Sequence, residues 1–298
     1  MTKDFIAKRN NRQQNTRREQ LSPQEWAEKK QLEKESVYQL IDSTAEEISE
    51  NPDKLKAFLD VQARMDKYSS ANALLIYSQL PEATRLKDFA GWGEDNVRVK
   101  KGAKSISILE PVEYTKSDGS QGISYNVKKM FDVSQTNGKK QPAPTLNRDT
   151  DDIIAVMVDT SPVNVELIDE MPQPGMGAFY KNEDQTLYIQ RGFDDSVKLV
   201  QNIAQELAFA QLSIQSDSYS RRDMGFKAVC VGYMVCKKLG VETKSFAVNR
   251  IPADWKDMDA KAVRSELSQM RSALGEIATR VSDELYRQKQ ERTKDRER

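Results

Sequence analysis

The sequence predicts an α+β fold in two successive halves, and three observations carry that expectation. Apolar residues recur at helical spacing from Val37 to Met65, then alternate as strand residues do after Gly91. A second alternating stretch, Ala178–Tyr180 and Thr186–Ile189, flanks the turn-like segment Lys181-Asn182-Glu183-Asp184-Gln185. Two long amphipathic patterns follow that hairpin instead of preceding it, so helices and strands cluster in each half and do not alternate along the chain.

Each element has its own signal. Residues 1–36 are rich in Lys, Arg, Gln, Asn and Glu with few apolar anchors, and read as a mobile arm or a solvated helix, with order beginning near Ser36. Val37, Leu40, Ile41, Thr44, Ala45 and Ile48 mark a first helix. Asn51-Pro52 caps a second, which presents Leu55, Phe58, Leu59 and Met65. A third runs from Ser70 to Leu80 and stops at Pro81. Val97 and Val99, then Ile106 and Ile108, predict strands, and Ser117-Asp118-Gly119 a turn between Val112–Thr115 and Ile123–Phe131. The segment Ser134–Asp149, with Asn137-Gly138 and two prolines, reads as a linker. Beyond it come a helix near Asp151–Val158, a strand near Val163–Ile168, the hairpin, helices over about 194–215 and 222–239, and a last helix over about 257–290. The domain boundaries expected are an arm at 1–36, a first unit at 37–136, a linker at 137–150, a second unit at 151–256 and a charged helical tail at 257–298.

Composition narrows the function classes. No stretch approaches the roughly 20 apolar residues that cross a bilayer, and the basic start MTKDFIAKRNNRQQNTRRE lacks the apolar run of a secretory signal. Cys230 and Cys236 lie six apart in a helical pattern, pointing about 120° from each other, which suits neither a disulfide nor a metal. These features predict a cytoplasmic protein with no membrane partner. There are no histidines, which removes the commonest general base and the commonest zinc ligand together. A net charge of zero conceals an asymmetry: residues 1–18 hold six basic side chains against one acid, residues 85–140 eleven against seven, and residues 149–195 two against eleven. A polyanion meets the first half favourably and is repelled by the middle, unless the blocks are simply solvated faces.

The charged residues that matter most are Arg98, Lys100, Lys101 and Lys104, placed on and just after a short predicted strand around Gly102, with Arg85 upstream. Tyr68, Tyr77, Phe89 and Trp92 precede them. A basic groove with aromatic platforms holds single-stranded nucleic acid with little sequence preference. Phe89 and Trp92 also suit a core, and Tyr68 and Tyr77, with polar tips, are the better stacking residues. Asn72 and Gln79 suit a phosphate or base, or equally a local backbone cap.

From Tyr68 to Thr136 the sequence resembles the N-terminal single-stranded-DNA-binding domain of the ArdC antirestriction family, shared with LtrC-like conjugation proteins. The resemblance rests on Tyr68-Ser69, Asn72, Leu75, Gln79, Pro81, Ala83-Thr84, Trp92, Val99-Lys100-Lys101-Gly102, Lys104, Ile106, Pro111, Phe131-Asp132 and Ser134-Gln135-Thr136. It implies single-stranded DNA as partner, in support of conjugative transfer or antirestriction on a mobile element.

The family's second domain resembles zinc peptidases, a zincin-like α+β frame. Their helix carries H-E-x-x-H, two histidines on one face for zinc and a glutamate for the water. Here the corresponding run is Gln205-Glu206-Leu207-Ala208-Phe209, and the acidic third-ligand positions of the next helix hold Lys227 and Val229. The resemblance therefore implies a pseudoenzyme with no cofactor, in which Glu206 is a fossil or a solvated surface group. The rival readings are a protein-binding role for the acidic second half, and a peptidase with unusual ligands.

Overall fold

The computed structural model describes residues 22–139 and 149–296. Helix α1 (Pro23–Glu50) opens on a capping box: the Ser22 hydroxyl accepts from the Glu25 N–H, and the Glu25 carboxylate accepts from the Ser22 N–H. The helix thus starts ahead of the expected Ser36, and residues 1–21 of the predicted arm lie outside the described residues. Its first turns are mostly exposed, and burial begins at Val37, continuing through Ile41, Ala45 and Ile48. Apolar spacing had located the buried stripe, whereas Ser22-Pro23 sets the start. Asn51 caps α2 (Pro52–Arg64), its side-chain oxygen accepting from the N–H groups of Asp53 and Lys54 at 3.0 and 3.1 Å. Helix α3 (Ser70–Gln79) follows.

The first sheet joins β1 (Leu86–Lys87), β2 (Ile106–Thr115) and β3 (Gln121–Asp132) in the antiparallel order β1-β3-β2, with α4 (Phe89–Glu94) between β1 and β2. The strand expected at Val97–Val99 is reduced to a single bridge from Val99 to Thr136. Its facing segment, Val133–Gln135, is a 3-10 turn, so no extended partner exists for a longer ladder. In the second half, α5 (Thr150–Asp159) precedes β4 (Asn164–Ile168), β5 (Ala178–Lys181) and β6 (Thr186–Gln190), ordered β4-β6-β5 with β4 parallel and β5 antiparallel to β6. Helices α6 (Ser196–Ile214), α7 (Arg221–Lys238), the short α8 (Ala253–Lys256) and α9 (Ala260–Arg296) complete the fold.

Helices of both halves share one core, in which Ile48, Phe58 and Leu74 belong to the same cluster as Val231, Met234 and Leu274. Polar ties reinforce it. The Tyr233 hydroxyl donates to Asp60 at 2.7 Å, Lys237 pairs with Asp60 at 3.0 Å and Lys238 with Asp66 at 2.9 Å. The linker expected at 137–150 falls mostly on residues 140–148, outside the described residues. A smaller cluster of Val61, Met65, Ile76, Ile106, Ile108 and Met130 seats the base of the β2–β3 hairpin on α2 and α3. Cys230 and Cys236 are buried and unpaired, and burial pushes both thiols upward, that of Cys236 to about 12. Among the described residues no helix is long and apolar enough to cross a membrane.

Candidate nucleic-acid interface

The basic segment hangs on one buried carboxylate. Asp132, 1% exposed at the end of β3, accepts from the N–H groups of Thr84 and Arg85 with one oxygen, at 2.7 and 2.8 Å, and from Ser134 with the other at 2.8 Å. Burial alone would raise its pKa, but the hydrogen bonds from Ser134, Arg85 and Thr84 outweigh it and hold the carboxyl below the usual range. This ties the entry to β1 to the turn Val133–Gln135. That turn in turn holds the basic loop: the Gln135 carbonyl accepts from the Lys100 N–H at 2.9 Å, and the Gln135 amide donates to the Lys104 carbonyl at 2.6 Å. Asn137 and Arg98 exchange hydrogen bonds at 2.8 and 3.0 Å. Gly102, at φ +82°, turns the loop where a side chain would strain it.

On this frame Arg98, Lys100, Lys101 and Lys104 are all exposed. The Lys100 ammonium donates to the Ser134 carbonyl at 2.9 Å, and among the described residues none of the four is in an ion pair. Neighbouring cations are different. Arg85 and Lys87 share Asp95 at 2.9 and 2.8 Å, Lys128 lies against Asp88 and Glu110, and Lys129 pairs with Glu33 at 2.6 Å. Arg85 is therefore exposed but partly neutralised, and it lies 5.2 Å from the Trp92 ring.

Several residues expected to face a ligand are structural instead. Asn72 both donates to and accepts from the backbone of Leu109, at 2.9 and 2.8 Å, and is buried. Gln79 does the same at Ser107, at 2.9 and 2.8 Å, while also donating to the Leu75 carbonyl. Their amides are thus occupied by the open edge of β2. Trp92 is 1% exposed, with its indole N–H donating to the Phe131 carbonyl at 2.8 Å, so it is core and no platform. Tyr68 and Tyr77 are half-buried; Tyr77 meets Phe58 edge-on at 6.3 Å, and Tyr68 packs on the smaller cluster. Desolvation raises the pKa of both hydroxyls. The residue that sequence reasoning left without a role is Asp132, visible beforehand only as part of a family pattern.

Residues 30–150 match the family model of the N-terminal domain of anti-restriction factor ArdC. This segment is similar to that domain. No curated protein matches the chain. Two solved structures are similar to this chain. The metal-free antirestriction ArdC protein from plasmid R388 is 14% identical, with a TM-score of 0.47 and coverage of 72% of this chain and 86% of that one. The Mn(II)-bound form is 13% identical, with a TM-score of 0.49 and coverage of 72% and 85%.

Outside the matched segment, the second locus of interest is Glu206 on α6. It is neither solvated nor idle: it is 4% exposed, and accepts from the Tyr180 N–H at 2.7 Å and from both terminal nitrogens of Arg221 at 2.6 and 2.9 Å. The Arg221 guanidinium lies 4.0 Å from the Phe209 ring centre and 4.7 Å from that of Phe179. Burial raises the Glu206 pKa, against the downward pull of Arg221. Gln205 is half-buried where α6 crosses α7: a Cβ on Gly232 would stand 3.0 Å from its Cα. Lys227 is buried and turned to α9, bonding Glu266 and Gln269 at 2.9 Å each, and Val229 packs against the main core. A zinc site needs three protein donors. Gln205, Phe209, Lys227 and Val229 do not supply them, and the oxygens of Glu206 are held by Arg221. These residues do not fit a metal, and among the described residues no three His, Cys, Asp or Glu side chains are grouped to hold one.

Proposed function

We propose that this protein binds single-stranded DNA through the loop Arg98–Lys104, and that its second half performs no peptide hydrolysis. The observation that carries the first part is the division of cations: Arg98, Lys100, Lys101 and Lys104 have no acidic partner among the described residues, whereas Arg85, Lys87, Lys128 and Lys129 do. Unpaired ammonium and guanidinium groups on a fixed backbone gain most from phosphate, because binding releases condensed counterions without breaking an existing pair. The three lysines fall within five residues, a span that suits consecutive phosphates of an extended strand. The second part is supported by the missing donors and by the Arg221 clamp on Glu206. The similarity of residues 30–150 to the ArdC N-terminal domain supports linking this binding to antirestriction on a mobile element, where an incoming single strand is the substrate to be covered.

The test is a titration of the whole chain with single-stranded and duplex oligonucleotides over a range of salt. The single strand should bind with a log–log slope of about −0.7 per neutralised phosphate. Replacing Lys100, Lys101 and Lys104 together by Ala should weaken binding to every sequence and flatten the slope by about 2. An unchanged slope in the triple variant removes these lysines from the interface.

A further inference from the structure

Resting on that reading, we propose that Phe89 is the nucleobase-stacking platform of the interface. With Trp92, Tyr68 and Tyr77 committed to packing, the most exposed aromatic ring among the described residues of this half is Phe89, at the start of α4, which is 69% exposed, ahead of Trp26 at 58% in the first turn of α1. A phenyl ring left in water forgoes about 1.5–3 kcal/mol of burial. The cations beside Phe89 are neutralised, Lys87 by Asp95 and Lys128 by Asp88, the cap of α4, so the charge that favours nucleic acid over an apolar partner is that of the loop Arg98–Lys104. The Val97 N–H bonds the Trp92 carbonyl at 2.9 Å, so the basic loop leaves directly from the helix that begins with Phe89.

Three exposed apolar groups of the β2–β3 hairpin are less suited. The Tyr114 ring lies over Gly122, where an added Cβ would meet it at 2.7 Å, so one of its faces is covered by its own hairpin. Ile123 and Tyr125 stand on the distal hairpin, directly across from Glu113 and Pro111, in a stretch that also carries Glu110 and Asp118.

Stacking on Phe89 brings the π face of any base against the ring without reading its edge, which gives affinity without sequence preference. It also separates two contributions experimentally, since stacking releases no counterion whereas the lysines do.

The experiment measures the affinity of the full chain for a single-stranded oligothymidylate at several salt concentrations, for wild type and Phe89→Ala, Phe89→Leu and Phe89→Trp. Phe89→Ala should weaken binding about 5- to 100-fold, the loss of one stacked base, with the salt slope unchanged. Phe89→Trp should bind at least as well as wild type, and Phe89→Leu should resemble Ala. Because the side chain is exposed, all three should unfold at the wild-type urea midpoint. Wild-type binding with Phe89→Ala unchanged, or full recovery by Phe89→Leu, overturns the stacking role and leaves the lysine reading intact. A wild-type chain that binds no single strand overturns the binding reading and this role with it.

Discussion

Removing the Arg221 guanidinium should convert a satisfied ion pair into a buried, uncompensated carboxylate. Glu206 is 6% exposed at its side chain and Arg221 35%, so only the acid is truly enclosed. Breaking a fully buried pair by deleting one partner costs about 3–5 kcal/mol; the open edge of Arg221 reduces the expectation for Arg221→Met to about 2–3 kcal/mol. That figure contains two charge-assisted hydrogen bonds and contact with the Phe179 and Phe209 rings. Glu206→Gln should cost less, about 1–2 kcal/mol, because an amide oxygen still accepts from the Tyr180 N–H. The double variant should fall well short of the sum, leaving a coupling of about 1–2 kcal/mol. Urea unfolding at constant m-value measures all four corners. The pH dependence has a definite sign. Burial already raises the Glu206 pKa, and without Arg221 nothing but the Tyr180 N–H opposes that rise. A raised folded pKa means the folded state binds the proton more tightly, so the penalty in Arg221→Met should be small below about pH 4 and grow as pH rises from there. An Arg221→Met change within about 0.5 kcal/mol of wild type, or strict additivity in the double variant, would refute the clamp.

Three other outcomes follow from the same structure. Asp132→Asn must turn an amide N–H₂ toward either Ser134 or the Thr84–Arg85 pair, costing about 1–3 kcal/mol in urea unfolding. Because the folded Asp132 pKa is depressed, its wild-type contribution should be present above about pH 4 and fade as pH falls through the folded value. Gly102→Ala meets no neighbour, so its cost should be backbone strain alone, about 1–2 kcal/mol; unfolding and single-strand affinity should both register it. A fragment of residues 22–139 would expose Ile48, Phe58 and Leu74, which share the main core with α7 and α9, and should show no sharp urea transition; a cooperative melt would show that half to be self-sufficient.

Local patterns were legible wherever a residue's fate depends on its own helix or strand. Asn51-Pro52 fixed a cap, the stripe from Val37 to Ile48 fixed a buried face, and Ser117-Asp118-Gly119 fixed the hairpin. What spacing cannot carry is the identity of a distant partner. Phe89 and Trp92 are two aromatics on one short helix, and which is buried depends on the Phe131 carbonyl, 39 residues beyond Trp92, that takes the indole N–H. Likewise Glu206 reads as orphaned until Arg221, 15 residues on, folds back over it. The exposed lysines of the loop were easier, since a charge cluster around glycine needs no partner to be recognised.

Asn72 and Gln79 tie the strand that follows the basic loop to helix α3. Strand β2 is an edge of its sheet, and an open edge leaves N–H and C=O groups unpaired. Asn72 and Gln79 lie seven residues apart, two turns of α3 on nearly one face, and their amides pair with Leu109 and Ser107, alternate residues of that edge. Helix α3 thereby acts as the missing strand neighbour. Its own start is held from the second half, where Arg271 of α9 donates to the carbonyls of Tyr68 and Lys67 at 3.0 and 3.3 Å, just ahead of the Ser69 cap. A continuous set of contacts therefore runs from α9 through α3 and β2 to Lys104, whose carbonyl is fixed by Gln135. The second half therefore has a structural role in the first, because it helps to hold the backbone from which the lysines project.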